Sequence, residues 1–574
     1  MTPRNRLFAR LHSVTSSTSS CSRDGKHMVD SPPGWKWWAT AGLLVLLAFL
    51  LRIYRIDTQE LWLDEAYSYL LATAPDWFGP ATLSNNIPPL YHFLLRGWIK
   101  FMGQGEDSLR LLSAMFGVLF VAVVTWTGRE MFTPSAGLWS GGFAAIAPIH
   151  VFYSQEARVY SLLILILAVT YVLIWRALQK NTRASWVLAS LGATLALYSH
   201  YFAALGLLTA VLLPWAVSSD LPMRQRWHRY LMAMAMAIAL VTPWILANVF
   251  LIDHQLDHSF MPWLETTWNQ IPPALAIPKS LEILGLGGHV GLAPTMVKQF
   301  RYIVFPQRME LLGIASLSVL MLWTAVPWGD NKLGIPGLGR LKIWVWTATL
   351  FPLVILWLVS YFVKPVYIVG RYDVVAFPGY ALLIGFAFAK IHQAWRRGIV
   401  LTVAAALVLG VPLVTKLWLY YQVPESRDAR QTADFLNVKV ANDDVIVFTG
   451  PRGHVLMYYL GQLGYHWESG VCQTNGGVRR FSCRFIPRDN EQGQLIYARP
   501  VGSASPGLRD EFQAVTASLA PSTGTAWLVF QRLGMTPNGR PMLDPDARLI
   551  EEVTGLGFRN IPELSQSAIY AFQR

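Results

Sequence analysis

The sequence predicts a mainly α-helical, polytopic membrane protein with a small C-terminal α/β domain. Apolar residues fill 53% of the 574 positions and charged residues only 14%, against about 25% charged in soluble chains. Apolar runs close to the length of a bilayer core recur along residues 35–421,. Beyond Tyr421 the chain turns to mixed charge, Gly/Pro turns and short β-rich runs,.

Residues 1–34 are rich in Ser, Arg and Lys and lack a nearby apolar core. They read as a disordered cytoplasmic tail rather than a cleaved secretory signal, with Met28 as an alternative start. The apolar runs are 37–54, 111–126, 136–152, 159–175, 186–198, 201–217, 230–251, 311–328, 343–363, 374–389 and 399–421, about eleven spans within a membrane domain at 35–421. Two longer connections, 57–107 and 253–308, interrupt them, and 280–292 in the second could lie in the interface. The tail, 422–574, alternates helical segments (429–440, 454–463) with strands (445–449, 526–530, 568–572), which suggests an α/β unit large enough for its own core.

The formal charge is 47 − 34 = +13. In a soluble chain that would suggest nucleic acid. Here the cations sit in loops between spans: Arg129; Arg176, Lys180 and Arg183; Arg224, Arg226 and Arg229; Lys332, Arg340 and Lys342; Lys390, Arg396 and Arg397. The positive-inside rule makes that side cytoplasmic. Eleven spans then put 57–107, 253–308 and the tail outside a plasma (inner) membrane, with the N-terminus inside. There Cys472 and Cys483 could pair in an oxidising compartment, the alternative being two free thiols.

Three stretches on the outer side carry charge. In LWLDEAYSY (61–69), Asp64 and Glu65 stand just past the first span, where acids are costly. On a helix Asp64 shares a face with Glu60, Tyr67 and Ser68, while Glu65 turns about 100° away. One acid would then face a site and the other serve structure; the competing reading is a helix N-terminus that favours acids. In YSQEARVYS (153–161), Glu156 and Arg158 diverge, and Arg158 with Tyr160 could meet an anionic headgroup, unless Arg158 snorkels or pairs with an acid. In KPVYIVGRY (364–372), Lys364 and Arg371, followed by Tyr372, run against the charge bias and suit a bound phosphate. His200 and His92 are further candidates, but their spacing is not that of metal ligands. No metal site is assigned, although outer acids leave a divalent ion open. No Walker loop or Gly-rich dinucleotide fingerprint occurs,. Carboxylates, cations and aromatics gathered outside, away from nucleotide-activated donors, suit a donor activated as a lipid phosphate. Cations would hold the leaving phosphate and a carboxylate would deprotonate the acceptor.

LWLDEAYSY, IPPLYHFLL (87–95), DSLRLLSAMFG (107–117), APIHVFYSQEARVYSLL (147–163), LYSHYFAAL (197–205) and KPVYIVGRYDVVAFPGYALL (364–383) occur in an order and spacing that resemble the C-type glycosyltransferases. Within them they resemble the protein O-mannosyltransferase and aminoarabinose-transferase group, which uses polyprenyl-phosphate sugars. The resemblance implies inverting transfer of a sugar from a polyprenyl-phosphate donor to an acceptor hydroxyl on a protein, lipid or glycan, at the outer face and among membrane lipids. It implies Asp64 as the base with Glu65 supporting, Glu156 and Arg158 near the site, and Lys364 and Arg371 at the donor phosphate. Ile87 departs from the His that many relatives carry there. Two rivals remain: a lipid-linked sugar flippase or transporter, which predicts charges buried mid-span and repeated halves, and a non-catalytic scaffold, which leaves the three charged outer stretches without a task.

Overall fold

The computed structural model describes residues 34–74, 88–251, 268–269, 271–287, 307–394, 398–422, 429–439, 453–463 and 554, and the strand residues between 445 and 573. The chain begins with α1 (Trp35–Ile53), α2 (Leu63–Thr73), α3 (Leu90–Met102) and α4 (Glu106–Met131). There follow α5 (Pro134–Ile146), α6 (Pro148–Ser154), α7 (Tyr160–Lys180), α8 (Arg183–Ser199), α9 (Ala203–Ala210), α10 (Leu213–Ala216) and α11 (Met223–Leu251). Next come α12 (Pro273–Leu286), α13 (Gln307–Ala325), α14 (Leu338–Phe362), α15 (Phe377–Ala394) and α16 (Gly398–Gln422).

Among the described residues, eight helices are long and apolar enough to cross a membrane, built on α1, α4, α7, α11, α13, α14, α15 and α16. The other three expected spans are shorter or broken. Residues 136–152 divide at Ala147, whose extended backbone ends α5 before Pro148 opens α6. Residues 201–217 divide into α9 and α10, with Pro214 in the first turn of α10. Residues 186–198 fall in α8, 17 residues long. Proline lacks the N–H that a continuing helix needs, so it opens a new segment more readily than it extends an old one.

The break at Ala147 exposes helix-end carbonyls, and a buried arginine answers them. Arg52, near the end of α1, donates to Ala144 O and Ala145 O at 3.1 Å each and to Ser154 Oγ at 3.1 Å. Gly117 leaves room for this arrangement: a Cβ there would lie 2.1 Å from Ser154 Oγ and 2.9 Å from Arg52 Nε.

The span that includes α15 is the central one, with 94% of its apolar window buried, against 17% for α1, which turns Leu43, Leu46 and Leu50 outward. Small residues let the central helices approach closely. Gly385 of α15 packs on Ser140 and Ala136 of α5, and Gly128 of α4 packs on Gly137.

Neither long connection is plain loop. The first holds α2 and α3. The second holds α12, which ends at Gly287 in a left-handed turn (φ +83°). The part of the proposed interfacial stretch from 288 onward lies outside the described residues, as do 75–87 and the N-terminal 33.

At one end of the bundle several of the basic loop residues are held by packing. Lys342 and Lys390 share Asp330 at 2.7 and 2.9 Å. Arg226 donates to Val217 O at 2.7 Å and to Leu221 O at 2.7 Å. The guanidinium groups of Arg129 and Arg176 lie 4.8 and 5.3 Å from the Trp126 ring centre. Part of the charge bias in the sequence therefore has a packing cause.

At the other end, α17 (Ala429–Lys439) and α18 (Gly453–Gln462) dock on the start of the first long connection. Glu60 accepts from the backbone N–H groups of Ala429 (3.1 Å) and Arg430 (3.2 Å), capping α17 where its dipole favours an anion,. Tyr459 Oη accepts from Leu61 N at 2.9 Å, and Arg430 pairs with Glu106 at 2.8 Å. Removing a cap costs about 1 kcal/mol. Glu60→Ala is therefore expected to raise hydrogen exchange in α17 while α4 and α7 stay protected.

The tail strands are β1 (Val445–Thr449), β2 (His466–Glu468), β3 (Thr474–Asn475), β4 (Val478–Arg479), β5 (Phe481–Ile486), β6 (Gln494–Arg499), β7 (Thr525–Phe530), β8 (Arg559–Asn560) and β9 (Ile569–Gln573). Seven form one sheet in the order β2-β5-β6-β1-β7-β9-β8, with β1 parallel to both neighbours. Cys483 lies on β5; Cys472, its expected partner, is outside the described residues.

Candidate active site

The end of the bundle that meets α17 and α18 gathers the three charged stretches. The helix carrying the first acids begins at Leu63, not Glu60, so Glu60 is not on the Asp64 face and serves α17 instead. Asp64 and Glu65 then occupy the first turn of α2, where the dipole stabilises both,. Their surroundings differ.

Glu65 is sealed in. Its carboxylate receives Arg110 Nε and Nη2 at 2.8 and 2.9 Å, Ala157 N at 2.8 Å and Trp62 N at 3.2 Å. Arg110 spends its remaining donors on Ile56 O, Gln59 O and Glu60 O, at 2.9, 2.6 and 3.1 Å. One buried ion pair thus fixes the strand of chain before α2, the start of α4 and the turn before α7.

Asp64 faces the other way, towards cations. Arg371 Nη2 lies 2.5 Å from Asp64 Oδ2, and Arg158 Nη2 lies 3.7 Å from the same oxygen. Arg158 also donates to Asp64 O and Ser68 Oγ at 3.0 Å each, while its Nε has no hydrogen-bond partner among the described residues. Arg371 Nε donates to Tyr160 Oη at 2.5 Å. The rings of Trp62, Tyr160 and Tyr372 stand 5.9, 5.8 and 5.6 Å from the Arg371 guanidinium. Burial alone would lower both arginine pKa values; Asp64 and Tyr160 more than offset it, so both are raised.

The loop that delivers Arg371 is pinned along its length. Ser360 Oγ accepts from Val366 N and Tyr367 N, and Tyr367 Oη meets Ser280 Oγ of α12 at 2.6 Å. Gly370 takes φ +85°, a conformation that suits glycine,. Its N–H donates to Asp373 at 2.9 Å and its carbonyl accepts from Tyr153 Oη.

The remaining predicted residues divide. Tyr160 and Tyr372 are in the cluster. His200 lies beside it, 5.9 Å from the Tyr372 ring and 6.2 Å from the Tyr160 ring, with Nδ1 accepting from Phe202 N. Glu156 is buried, and its backbone carbonyl accepts from Arg158 N; its side chain borders a neighbouring cleft formed with Arg55, Gln59, Trp62, Glu65 and Tyr420. His92 is buried on α3, and its Nε2 has no partner among the described residues. Lys364 is exposed near the end of α14.

Burial, then the nearby arginines, pushes the His92 and His200 pKa values down to about 3. A depressed histidine pKa favours protons on the unfolded chain. Stability is therefore expected to fall as pH drops below about 6.5 towards 3. A melting series across that range checks it, and His92→Asn should flatten the slope.

Among the described residues, no three His, Cys, Asp or Glu side chains are grouped to hold a metal ion. The donor set around Asp64 does not fit one either, since the nearest charged groups are two guanidinium ions. Sequence reasoning missed Arg110 and the Tyr153–Gly370 contact. Arg110 had a readable signal, a cation at the head of a long apolar run.

Residues 86–246 match the family model described as dolichyl-phosphate-mannose-protein mannosyltransferase. No curated protein matches the chain. The fold is similar to that of ArnT from Cupriavidus metallidurans in the apo state, with a TM-score of 0.54 at 12% identity, over 94% of this chain and 98% of that one. The same enzyme bound to undecaprenyl phosphate gives 0.52 at 13% identity with the same coverage. The match to the family model and the ArnT-like fold support the resemblance to polyprenyl-phosphate-sugar glycosyltransferases.

Proposed function

We propose that the chain is an inverting glycosyltransferase that moves a sugar from a polyprenyl phosphate to an acceptor hydroxyl at the outer face of the membrane. The observation that carries this reading is the convergence of Arg158 and Arg371, from separate stretches, on the Asp64 carboxylate. The arrangement puts a proton acceptor next to two cations that can hold a phosphate.

In this reading Asp64 removes the acceptor hydroxyl proton. The oxygen attacks C1 of the sugar from the face opposite the phosphate. The C1–O bond to phosphate breaks, and its electron pair leaves on polyprenyl phosphate. Arg371 and Arg158 stabilise the charge that develops there. A single displacement of this kind inverts C1. Glu65 positions α2 through Arg110, and Trp62, Tyr160 and Tyr372 wall the phosphate site. Lys364 stands out as a first contact for an approaching anionic headgroup. Donor and acceptor classes follow the resemblance and the enzymes whose fold this chain shares; the acceptor is a protein, lipid or glycan hydroxyl.

The topology of the proposal has eleven crossings: the eight long helices and the shorter segments at 134–154, 183–199 and 203–216. The N-terminus is then cytoplasmic, in a plasma (inner) membrane. The tail beyond 421 is an extracytoplasmic α/β domain. The contact of Glu60 and Leu61 with α17 and α18 supports this, because it puts the tail at the same end as Asp64.

The transporter reading predicts charges buried mid-span. Glu310 and Lys416 do pair at 3.4 Å across α13 and α16. Glu310, however, is in the first turn of α13 and Lys416 near the end of α16. That pair belongs to a helix end, and Lys279 and Glu282 of α12 make a similar buried pair at 2.8 Å.

The test is transfer by purified protein supplied with a panel of polyprenyl-phosphate sugars. Arg371→Ala is expected to lower turnover by about 10²–10³-fold. Near-normal turnover in that variant would overturn the assignment.

A further inference from the structure

Arg371 engages Asp64, the proposed base, through the same guanidinium edge that a phosphate would need. Its Nη2 is on Asp64 Oδ2 and its Nε is on Tyr160 Oη. Three aromatic rings fence the guanidinium. Arg158 is equally enclosed, with a side chain 4% exposed and Nη1 committed to the Asp64 backbone and Ser68. Asp64 is the more open partner, at 21%. The Asp64 oxygen Oδ2 accepts a hydrogen bond from Arg371 at 2.5 Å and lies at ion-pair distance, 3.7 Å, from Arg158. In that state it is a poor proton acceptor.

We infer that Asp64 stands in for the donor phosphate in the unloaded enzyme, so that donor binding both fills the cation site and releases the base. This rests on the donor-phosphate reading above and adds an order of events to it. The unloaded site is closed by the Asp64–Arg371 pair. An arriving phosphate takes Arg371, and the vacated Asp64 oxygen becomes free to accept the acceptor proton. An empty site therefore holds no active base. The same competition works in reverse after transfer. The product is a phosphate monoester and more negative than the diester donor, so it would hold the arginines tightly. Re-formation of the Asp64 pair, once the proton has left, helps to expel it.

The competition has a signature that a simple base lacks. Removing the Asp64 charge should tighten phosphate binding while it abolishes transfer. A like charge about 4 Å from the phosphate corresponds to about 5-fold in affinity at the dielectric of water and about 10³-fold at that of a protein surface.

The experiment is equilibrium binding of a short-chain polyprenyl phosphate to full-length protein in detergent, with inorganic phosphate as a headgroup-only arm. It compares wild type, Asp64→Asn, Asp64→Glu and Arg371→Ala, with melting temperatures to establish that each is folded. Asp64→Asn is expected to bind at least about 5-fold more tightly than wild type, and Asp64→Glu, which keeps the charge, no more tightly. Arg371→Ala should bind more weakly. If Arg371→Ala weakens binding but Asp64→Asn does not tighten it, the inference falls and the phosphate site stands. If Arg371→Ala leaves binding unchanged, the phosphate-site reading falls and the inference with it.

Discussion

Asp64→Asn is expected to lower the transfer rate by about 10²–10⁴-fold, the usual contribution of a general base, and to leave the protein folded. Arg371 and Arg158 lose a charge partner, but the fold should survive because residue 64 still offers Arg371 an amide oxygen. The Asp64 side chain is partly open, asparagine has the same shape, and Arg158 keeps its bonds to the residue-64 carbonyl and to Ser68. The N-terminus of α2 also keeps its Glu65 contacts. The neighbouring substitution should behave in the opposite way. Glu65→Gln replaces one oxygen of a bidentate pair with a donor that faces Arg110, so it should cost stability first and activity as a consequence. Turnover measured beside melting temperature separates the two acids. A pair of variants with equal losses in both measurements would remove the division of labour between them.

That division was half legible in the sequence. Two readings of Asp64-Glu65 competed there, a site and a helix N-terminus; both acids stand in the first turn of α2, and Asp64 alone of the two faces Arg158 and Arg371. The 100° offset was enough to say that the two diverge, but not which would face the cations. Arg158 and Arg371 could be singled out because each breaks a local rule, a cation on the side the charge bias leaves poor. Lys364 broke the same rule, yet it is exposed, and periodicity cannot say which of two cations in one loop turns inward. What turns Arg371 inward is partly non-local: Tyr153 and Ser280 bond to its loop from 217 and 87 residues away, beside the near bonds of Asp373 and Ser360. The breaks inside two expected spans were hidden for a local reason. A hydropathy run continues through Ala147-Pro148, whereas a helix does not. Arg52, which answers the carbonyls at that break, was invisible for the same reason.

Arg110 is the residue whose loss should cost the fold most. Arg110→Ala is expected to destabilise the protein by about 3–5 kcal/mol, because it leaves the buried Glu65 carboxylate without its charge partner. The side chains are 4% and 1% exposed, so water cannot take over. Arg110→Ala also strips the donor from three carbonyls that set the path into α2, those of Ile56, Gln59 and Glu60. Replacing both partners with apolar residues of similar volume, Arg110→Met with Glu65→Leu, should recover much of the stability, since a well-packed apolar pair can match a buried ion pair. It should not recover transfer. The double variant still lacks the acceptor for Ala157 N and the bridge from α4 to residues 56–60, so Asp64 and Arg158 lose their common anchor. Thermal melting and turnover of wild type, both single variants and the double variant form a cycle. Recovery of stability without recovery of kcat is the expected result. Recovery of both would show that the Glu65–Arg110 pair serves folding alone and that Asp64 is positioned by other contacts.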